Sequence, residues 1–414
     1  MTVPDQRFFI QTLGCPKNEV DSDKLVGTML AGGMVRTSIV ADADLIVVNT
    51  CAFIEAARDE SIQTILDLDD ARSSDARLVV TGCLAERSGN ELAEAMPEID
   101  QVAGFGVPVT LGTKPGTPKM DMLNLRRPPS TRPWAYVKIA EGCDRACGFC
   151  AIPSFRGPQR SRSVEDVLIE VTDLGASEIV LVAQDLAAFG RDQGVGERQI
   201  ETLVTRVAAV VDRVRLLYLY PSDLTDSLID TICATGVPYF DLSLQHVSRP
   251  LMRRMRRWGD GERFLARIED IRRREPEAAL RSNFIVGYPG ETEEDHDVLL
   301  DFVERAQLDW CGFFAYSPEE GTYAVGLDGQ VDTRLVLERL GELSELQDRI
   351  TAQRRIDLVG RDLEVLFDEA HVARSHREAP EIDGIITTAT PHEPGSFATV
   401  RVLSATGPDL EAAG

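Results

Sequence analysis

Lysine is almost missing from this 414-residue chain: only five of its 44 basic residues are lysine, at positions 17, 24, 114, 119 and 138. The bias reads as genomic base composition and points to no mechanism. Also missing is any apolar run near the roughly 18 residues of a membrane span, and MTVPDQRFFI has no basic segment leading into a signal-length apolar stretch. A cytoplasmic protein without a membrane partner is expected. Positive charge is short overall. A net charge of −24 with pI about 4.7 argues against gripping nucleic-acid phosphates by counterion release and favours a basic protein partner. With no extended heptad and no long-period repeat, a monomer is expected.

What is present alternates. From residue 7 to about 110, short β-rich runs alternate with helical stretches, the pattern of a parallel sheet covered by helices; FFIQTLG, DLIVVNT and ARLVVTG are its clearest strands. Gly112 to Pro133, with GTKPGTPK and RRPPSTRP, has many breakers and little to bury, as a linker does. From Trp134 six strand candidates follow: WAYVKIAE, EIVLVAQ, VRLLYLY, YFDLSLQ, LRSNFIVG and WCGFFAYS. Six βα units suggest a partial parallel barrel with functional groups at the carboxyl ends of its strands. A charged helix from about Thr333 to Leu358 closes this region, and short strands with turns at Ile382-Asp383-Gly384 and Glu393-Pro394-Gly395 suggest a small C-terminal β-barrel. The expected α/β domains are 1–111, linker 112–133, 134–358 and 359–414.

In a reducing compartment clustered cysteines are metal ligands or catalytic thiols before they are disulfides. EGCDRACGFC sets Cys143, Cys147 and Cys150 in a C-x3-C-x2-C array just beyond a strand. Four-iron clusters normally take four thiolates; this array supplies three, leaving one iron open to a small molecule. Zinc usually asks for a second cysteine pair or histidines, and the next histidine is His246. Cys15, Cys51 and Cys83 lie 36 and 32 residues apart, yet each falls just beyond a predicted strand, so adjacent parallel strands would bring them to one sheet edge. They are either a second three-thiolate cluster site or buried packing residues. Cys233 and Cys311 read as packing residues, and His246 carries no assigned role.

The C-x3-C-x2-C spacing, with Phe149 before the last cysteine, resembles the radical S-adenosylmethionine superfamily. That resemblance implies that the cofactor's amino and carboxylate groups bind the open iron and that one electron releases a 5′-deoxyadenosyl radical able to take hydrogen from an unactivated carbon. Gln184 and Asp185 after the second barrel strand, Gln245 after the fourth and Gly287 after the fifth join Phe149 as cofactor-binding candidates, each with an ordinary turn or capping role as the alternative.

LGCPKNEVDSDKL, NTCAFIEAARDESI, VTGCLAER and KIAEGCDRACGFCAIPSFRGPQRSRS together resemble the methylthiotransferase family, and VAQDL, LSLQH, IVGYPGET and APEIDG extend the likeness over nearly the whole chain. Pro16-Lys17-Asn18 after the first cysteine and CAIPSFRG after the array are nearest to the branch acting on ribosomal protein S-twelve. The resemblance implies an N-terminal methylthiotransferase domain, a partial (β/α)6 radical barrel and a C-terminal TRAM barrel. It further implies two 4Fe-4S clusters, on Cys143, Cys147, Cys150 and on Cys15, Cys51, Cys83. The second presents sulfur that one S-adenosylmethionine methylates, and a second cofactor molecule opens the β-carbon of an aspartate to receive the methylthio group. An electron donor such as flavodoxin or ferredoxin and a sulfur donor are implied partners. The linker after residue 111 is short against the family pattern, and the last strand, ending DLEAAG, is either truncated or divergent from its valine-rich finish. Residues 360–414 carry four arginines, no lysine and ten Asp plus Glu, a net of −6, which suits a basic ribosomal protein better than tRNA. A tRNA adenosine methylthiotransferase, a non-enzymatic iron–sulfur carrier and a zinc-dependent RNA-binding protein stand as alternatives.

Overall fold

The computed structural model describes residues 6–109, 120–194 and 198–414, so the opening residues 1–5 and the GTKPGTPK part of the expected linker lie outside it. The N-terminal region runs β1 (Arg7–Thr12), α1 (Pro16–Ala31), β2 (Val35–Arg36), β3 (Leu45–Thr50), α2 (Glu55–Ala71), β4 (Arg77–Gly82), α3 (Cys83–Ala95) and β5 (Gln101–Val102). Its strands form one parallel sheet in the order β2-β1-β3-β4-β5. β3 is buried at every position because helices cover both faces, so its apolar run is continuous rather than alternating. The order reverses between β1 and β3, the crevice where open α/β sheets bind ligands. Two-residue β2 and β5 are too short to register as strands in the sequence.

The central region contains β6 (Trp134–Lys138), β7 (Ala140–Glu141), α4 (Ile152–Arg156), β8 (Arg160–Ser161), α5 (Val164–Leu174), β9 (Glu178–Val182), α6 (Ile200–Ala208), β10 (Arg213–Leu216) and α7 (Asp226–Cys233). It continues through β11 (Tyr239–Gln245), α8 (Arg249–Arg254), α9 (Gly261–Arg274), β12 (Ala279–Val286), α10 (Glu293–Ala306), β13 (Trp310–Ala315) and α11 (Thr333–Ile356). The six long strands make two parallel sheets, β6-β9-β10 and β11-β12-β13. A parallel bridge from Leu219 to Leu242 joins them into one open arc. Its outer face packs on the helices through residues such as Val137, Ile179, Leu216 and Phe284.

The inner face is filled from below. β14 (Asp362–Glu369), β15 (Val372–Arg374), β16 (Ile386–Thr388), β17 (Phe397–Thr406) and β18 (Asp409–Ala413) close a small barrel, and the short last strand pairs on both sides, with β16 and β17. The segment from Arg374 to Asp383 enters the amino end of the large arc. Trp134, Glu178, Arg213, Tyr239 and Trp310 each begin a strand there. Glu178 lies between Arg215 (2.7 Å) and Arg374 (2.9 Å), all buried. The Trp310 indole donates to the Arg377 carbonyl at 2.7 Å and the Tyr239 hydroxyl to Asp383 at 2.6 Å. With this end stoppered, only the carboxyl ends and the sides of the arc remain for chemistry. Among the described residues no helix is long and apolar enough to cross a membrane.

Candidate functional site

Thr12, Asn49 and Thr81 stand level across the N-terminal sheet, so the three cysteine loops leave its carboxyl edge side by side. Asn18, fully buried, donates to the carbonyls of Leu13 (2.9 Å) and Thr50 (3.0 Å), which ties the Cys15 loop to the Cys51 loop. Gly82 has φ +91°, and a Cβ there would stand 2.3 Å from Asn49 Oδ1 and 2.5 Å from the Thr50 carbonyl, so only glycine allows Cys83 to come in beside Cys51. Cys51 feels the charge of both Cys15 and Cys83, and Cys83 that of Cys15. Burial pushes Cys51 up to about 11 and raises Cys83, whereas at Cys15 burial is outweighed by Lys17 and Arg156, which hold it below an ordinary thiol.

The array of Cys143, Cys147 and Cys150 fills the loop after β7. The Cys143 N–H donates to the Gly157 carbonyl (3.1 Å) and the Gly148 N–H to the Met255 carbonyl (2.8 Å), fixing both ends of the turn. The Arg145 N–H donates to Cys143 Sγ at 3.4 Å and Arg257 to Cys147 Sγ at 3.1 Å, while the Ile152 N–H serves Cys150. Burial raises Cys143 to about 11 and Cys150 to about 12. Among the described residues no group of three His, Cys, Asp or Glu side chains is placed to hold a metal ion. A mononuclear zinc site would need its sulfurs about 2.3 Å from one ion. A cubic cluster carries its thiolates on separate corners and accepts a wider triangle.

The two trios are joined by one buried side chain. Arg156, on α4 beyond the array, donates to Glu141 (2.7 Å), Asn18 Oδ1 (2.8 Å) and Cys83 Sγ (3.0 Å), with Phe105 against its guanidinium. Lys138 completes the group by pairing with Asp21 and with Glu141 at 2.7 Å. Burial alone would raise the Glu141 carboxyl, but Arg156 and Lys138 hold it far below the usual carboxylate range. Ala151 and Phe155 extend the N-terminal core across the same seam, and Glu319 ties Arg58 and Arg87 to the loop after β13. Sequence reading passed over Asn18, Glu141, Lys138 and Arg156. The available signal was that all four lie within the quoted cysteine motifs, although carbon chemistry asks for none of them.

The other candidates fall at the carboxyl end of the arc. Gln184 Nε2 donates to Glu141 at 3.0 Å, and Asp185 pairs with Arg145 at 2.5 Å; Gln184 Oε1 and Asp185 Oδ1 are buried acceptors without a partner among the described residues. Phe149 packs beside Tyr288 and Met255. Gln245 follows a bulge in β11 with φ +74°, an unusual conformation for this residue type and one concentrated at functional positions. Gly287 donates its N–H to Glu291 at 2.6 Å, and a Cβ there would meet Val336 Cγ2 at 2.4 Å, so packing under α11 accounts for this glycine. Cys233 and Cys311 pack against the main core and His246 is buried, its Nδ1 accepting from the Ser248 N–H at 3.1 Å.

Three family models match: Uncharacterized protein family UPF0004 over residues 7–104, the Radical SAM superfamily over 137–303 and the TRAM domain over 359–413. The ribosomal protein uS12 methylthiotransferase RimO of Cutibacterium acnes is 40% identical over 97% of this chain and 96% of its own length. Its counterpart in Saccharopolyspora erythraea is 41% identical over 98% and 94%, and that of Moorella thermoacetica 41% over 96% of each. Among solved structures, the radical S-adenosylmethionine methyltransferase TsrM from Kitasatospora setae, with cobalamin and a 4Fe-4S cluster bound, aligns with a TM-score of 0.50. It covers 77% of this chain and 76% of its own at 14% identity, a likeness of fold.

Proposed function

Because the chain belongs to the ribosomal protein uS12 methylthiotransferase family, we propose that Cys143, Cys147 and Cys150 hold its radical-generating cluster and Cys15, Cys51 and Cys83 an auxiliary one. The enzyme is a radical S-adenosylmethionine methylthiotransferase acting on an aspartate of ribosomal protein uS12. The observation that carries the two-cluster reading is Arg156, whose one guanidinium touches both Cys83 and Glu141, two residues before Cys143. Two centres so joined lie within reach of one substrate residue. When bound, the cofactors supply a carbon-centred radical and a methylthio group.

The chain's own residues do the positioning. The N–H groups of Arg145 and Ile152 and the Arg257 guanidinium favour thiolates in the array. Gln184 Oε1 and Asp185 Oδ1 offer unpaired buried acceptors to the cofactor's amino group, and Phe149 lines the loop. Gln245 is proposed as a further contact, and Gly287 as a shaping residue under α11. Asp21, Lys138, Glu141 and Arg156 keep the seam charged internally yet closed to water, which holds the two loops at one separation.

The C-terminal barrel is proposed as the dock for uS12. Arg374 and Arg377 are buried against the arc together with Glu378 and the Asp383 carboxylate, so the outer face keeps the acidic balance of the module's composition. The reaction also calls for an electron donor such as flavodoxin or ferredoxin and a sulfur donor, in a cytoplasmic setting and with the enzyme as a monomer. The test is anaerobically reconstituted enzyme with S-adenosylmethionine, a one-electron reductant and either uS12 or tRNA. A mass gain of one methylthio group on uS12 and about eight irons per chain, four per cluster, are expected. Modification of tRNA alone overturns the substrate assignment, and about four irons overturns the second cluster.

A further inference from the structure

All three lysines among the described residues lie on the seam between the N-terminal sheet and the radical arc. Two are spoken for: Lys24 faces Glu170 at 3.5 Å and donates to the Leu123 carbonyl, and Lys138 pairs with Asp21 and Glu141. Lys17 is different. Its ammonium sits 3.7 Å from the centroid of the Tyr218 ring, and no carboxylate lies within ion-pairing distance among the described residues. In a chain of net charge −24 it is a cation with no carboxylate partner among the described residues, and it stands two residues beyond Cys15, whose charged form it favours.

Tyr218 places that ammonium. It follows β10 at the carboxyl end, packs against the inner-face cluster of the arc and holds φ +66°, a strained conformation for an aromatic residue. Its N–H donates to Asp241 Oδ2 at 2.9 Å, and Asp241 is engaged from the other side by Arg281 at 3.2 Å. The nearby carboxylate is therefore committed elsewhere. The ring carries Lys17 over the mouth of the arc through its negative face, an attraction that orients a cation without neutralising it.

Resting on the reading that the substrate is an aspartate of uS12, we propose that Lys17 receives that aspartate's side-chain carboxylate, with the Tyr218 ring as its platform, so that the β-carbon is held between the two cysteine trios. A compact ammonium with three donors suits one carboxylate approaching from a variable direction. The same charge offers nothing to a neutral adenine base, which makes Lys17 a specificity-determining residue.

The test measures binding of intact uS12, and of uS12 with the target Asp replaced by Asn, to the cluster-loaded full-length enzyme without reductant. Wild type is expected to favour the aspartate form by about ten- to a hundred-fold, the range for a charge-assisted hydrogen bond. Lys17→Met is expected to bind both forms alike and weakly, and Lys17→Arg to restore a preference for Asp. Iron content identifies a variant that has failed to assemble, and the wild-type comparison of the two uS12 forms stands without any enzyme variant. Equal binding of both forms by wild type, or an undiminished preference in Lys17→Met, overturns the proposal while leaving the methylthiotransferase reading intact. Absence of methylthiolated uS12 with wild-type enzyme defeats the underlying reading instead.

Discussion

Replacing Arg156 by methionine keeps most of its volume and removes its charge, so it isolates what the seam's electrostatics contribute. The wild-type group is balanced: Asp21 and Glu141 against Lys138 and Arg156, with side chains 4%, 16%, 0% and 1% exposed. The variant has one buried negative charge in excess and loses bonds of 2.7 Å to Glu141, 2.8 Å to Asn18 and 3.0 Å to Cys83. Removing one partner of a buried pair typically costs about 3–5 kcal/mol. Lys138 and Gln184 still serve Glu141, which places the expectation near the lower end, about 3 kcal/mol. Adding Glu141→Gln restores neutrality and should recover about 1–2 kcal/mol, within the usual coupling range of contacting residues. Urea unfolding followed by tryptophan fluorescence, with Trp134 on the same strand as Lys138, compares the four proteins of the cycle. An Arg156→Met enzyme within about 1 kcal/mol of wild type, or a double variant less stable than the single, would refute the electrostatic account of the seam.

Acid should loosen the C-terminal module first. Arg215 and Arg374 hold Glu178 at about 2 against the cost of its burial, and Arg355 with Ser375 does the same for Glu378. Both contributions are complete above about pH 4.5 and vanish as pH falls towards 2, each on the order of 3 kcal/mol. His376, pushed down to about 4 by burial and by Arg377, folds best neutral, so its share is lost earlier, as pH falls from about 6.5 to 4. Limited proteolysis between pH 7 and 3 should show progressive cleavage near residues 357–361, and a flat profile would count against it. Gly82→Ala, with its Cβ 2.3 Å from Asn49 Oδ1, should separate the Cys51 and Cys83 loops and cut bound iron from about eight to about four per chain; full iron content would refute that. Trp310→Phe leaves the buried Arg377 carbonyl unpaired and should cost about 1–3 kcal/mol in the same urea assay, with no change as the opposing result.

Some of this protein was legible along the chain. Strand runs such as DLIVVNT show themselves because burial on both faces demands unbroken apolar residues, and the C-x3-C-x2-C array shows itself because one short loop must bring three sulfurs together. Cys15, Cys51 and Cys83 could be paired with strand ends by the same local reading. Gly287 illustrates its boundary: the chain shows a glycine there, but not that a Cβ would meet Val336, 49 residues further on, in a helix whose packing leaves no local trace.

The sequence by itself determined which residues carry sulfur and at which ends of which strands they stand, since strand periodicity and close spacing are properties of neighbours. Tertiary structure alone decided that Arg156 meets Cys83 from 73 residues away, that Arg374 meets Glu178 across 196, and that Lys17 rests on Tyr218 with no carboxylate partner among the described residues. Such contacts depend on where sheets and helices come to rest. A buried charge is tolerated only beside its counter-charge, and that constraint acts in space, with no period in the chain to reveal it.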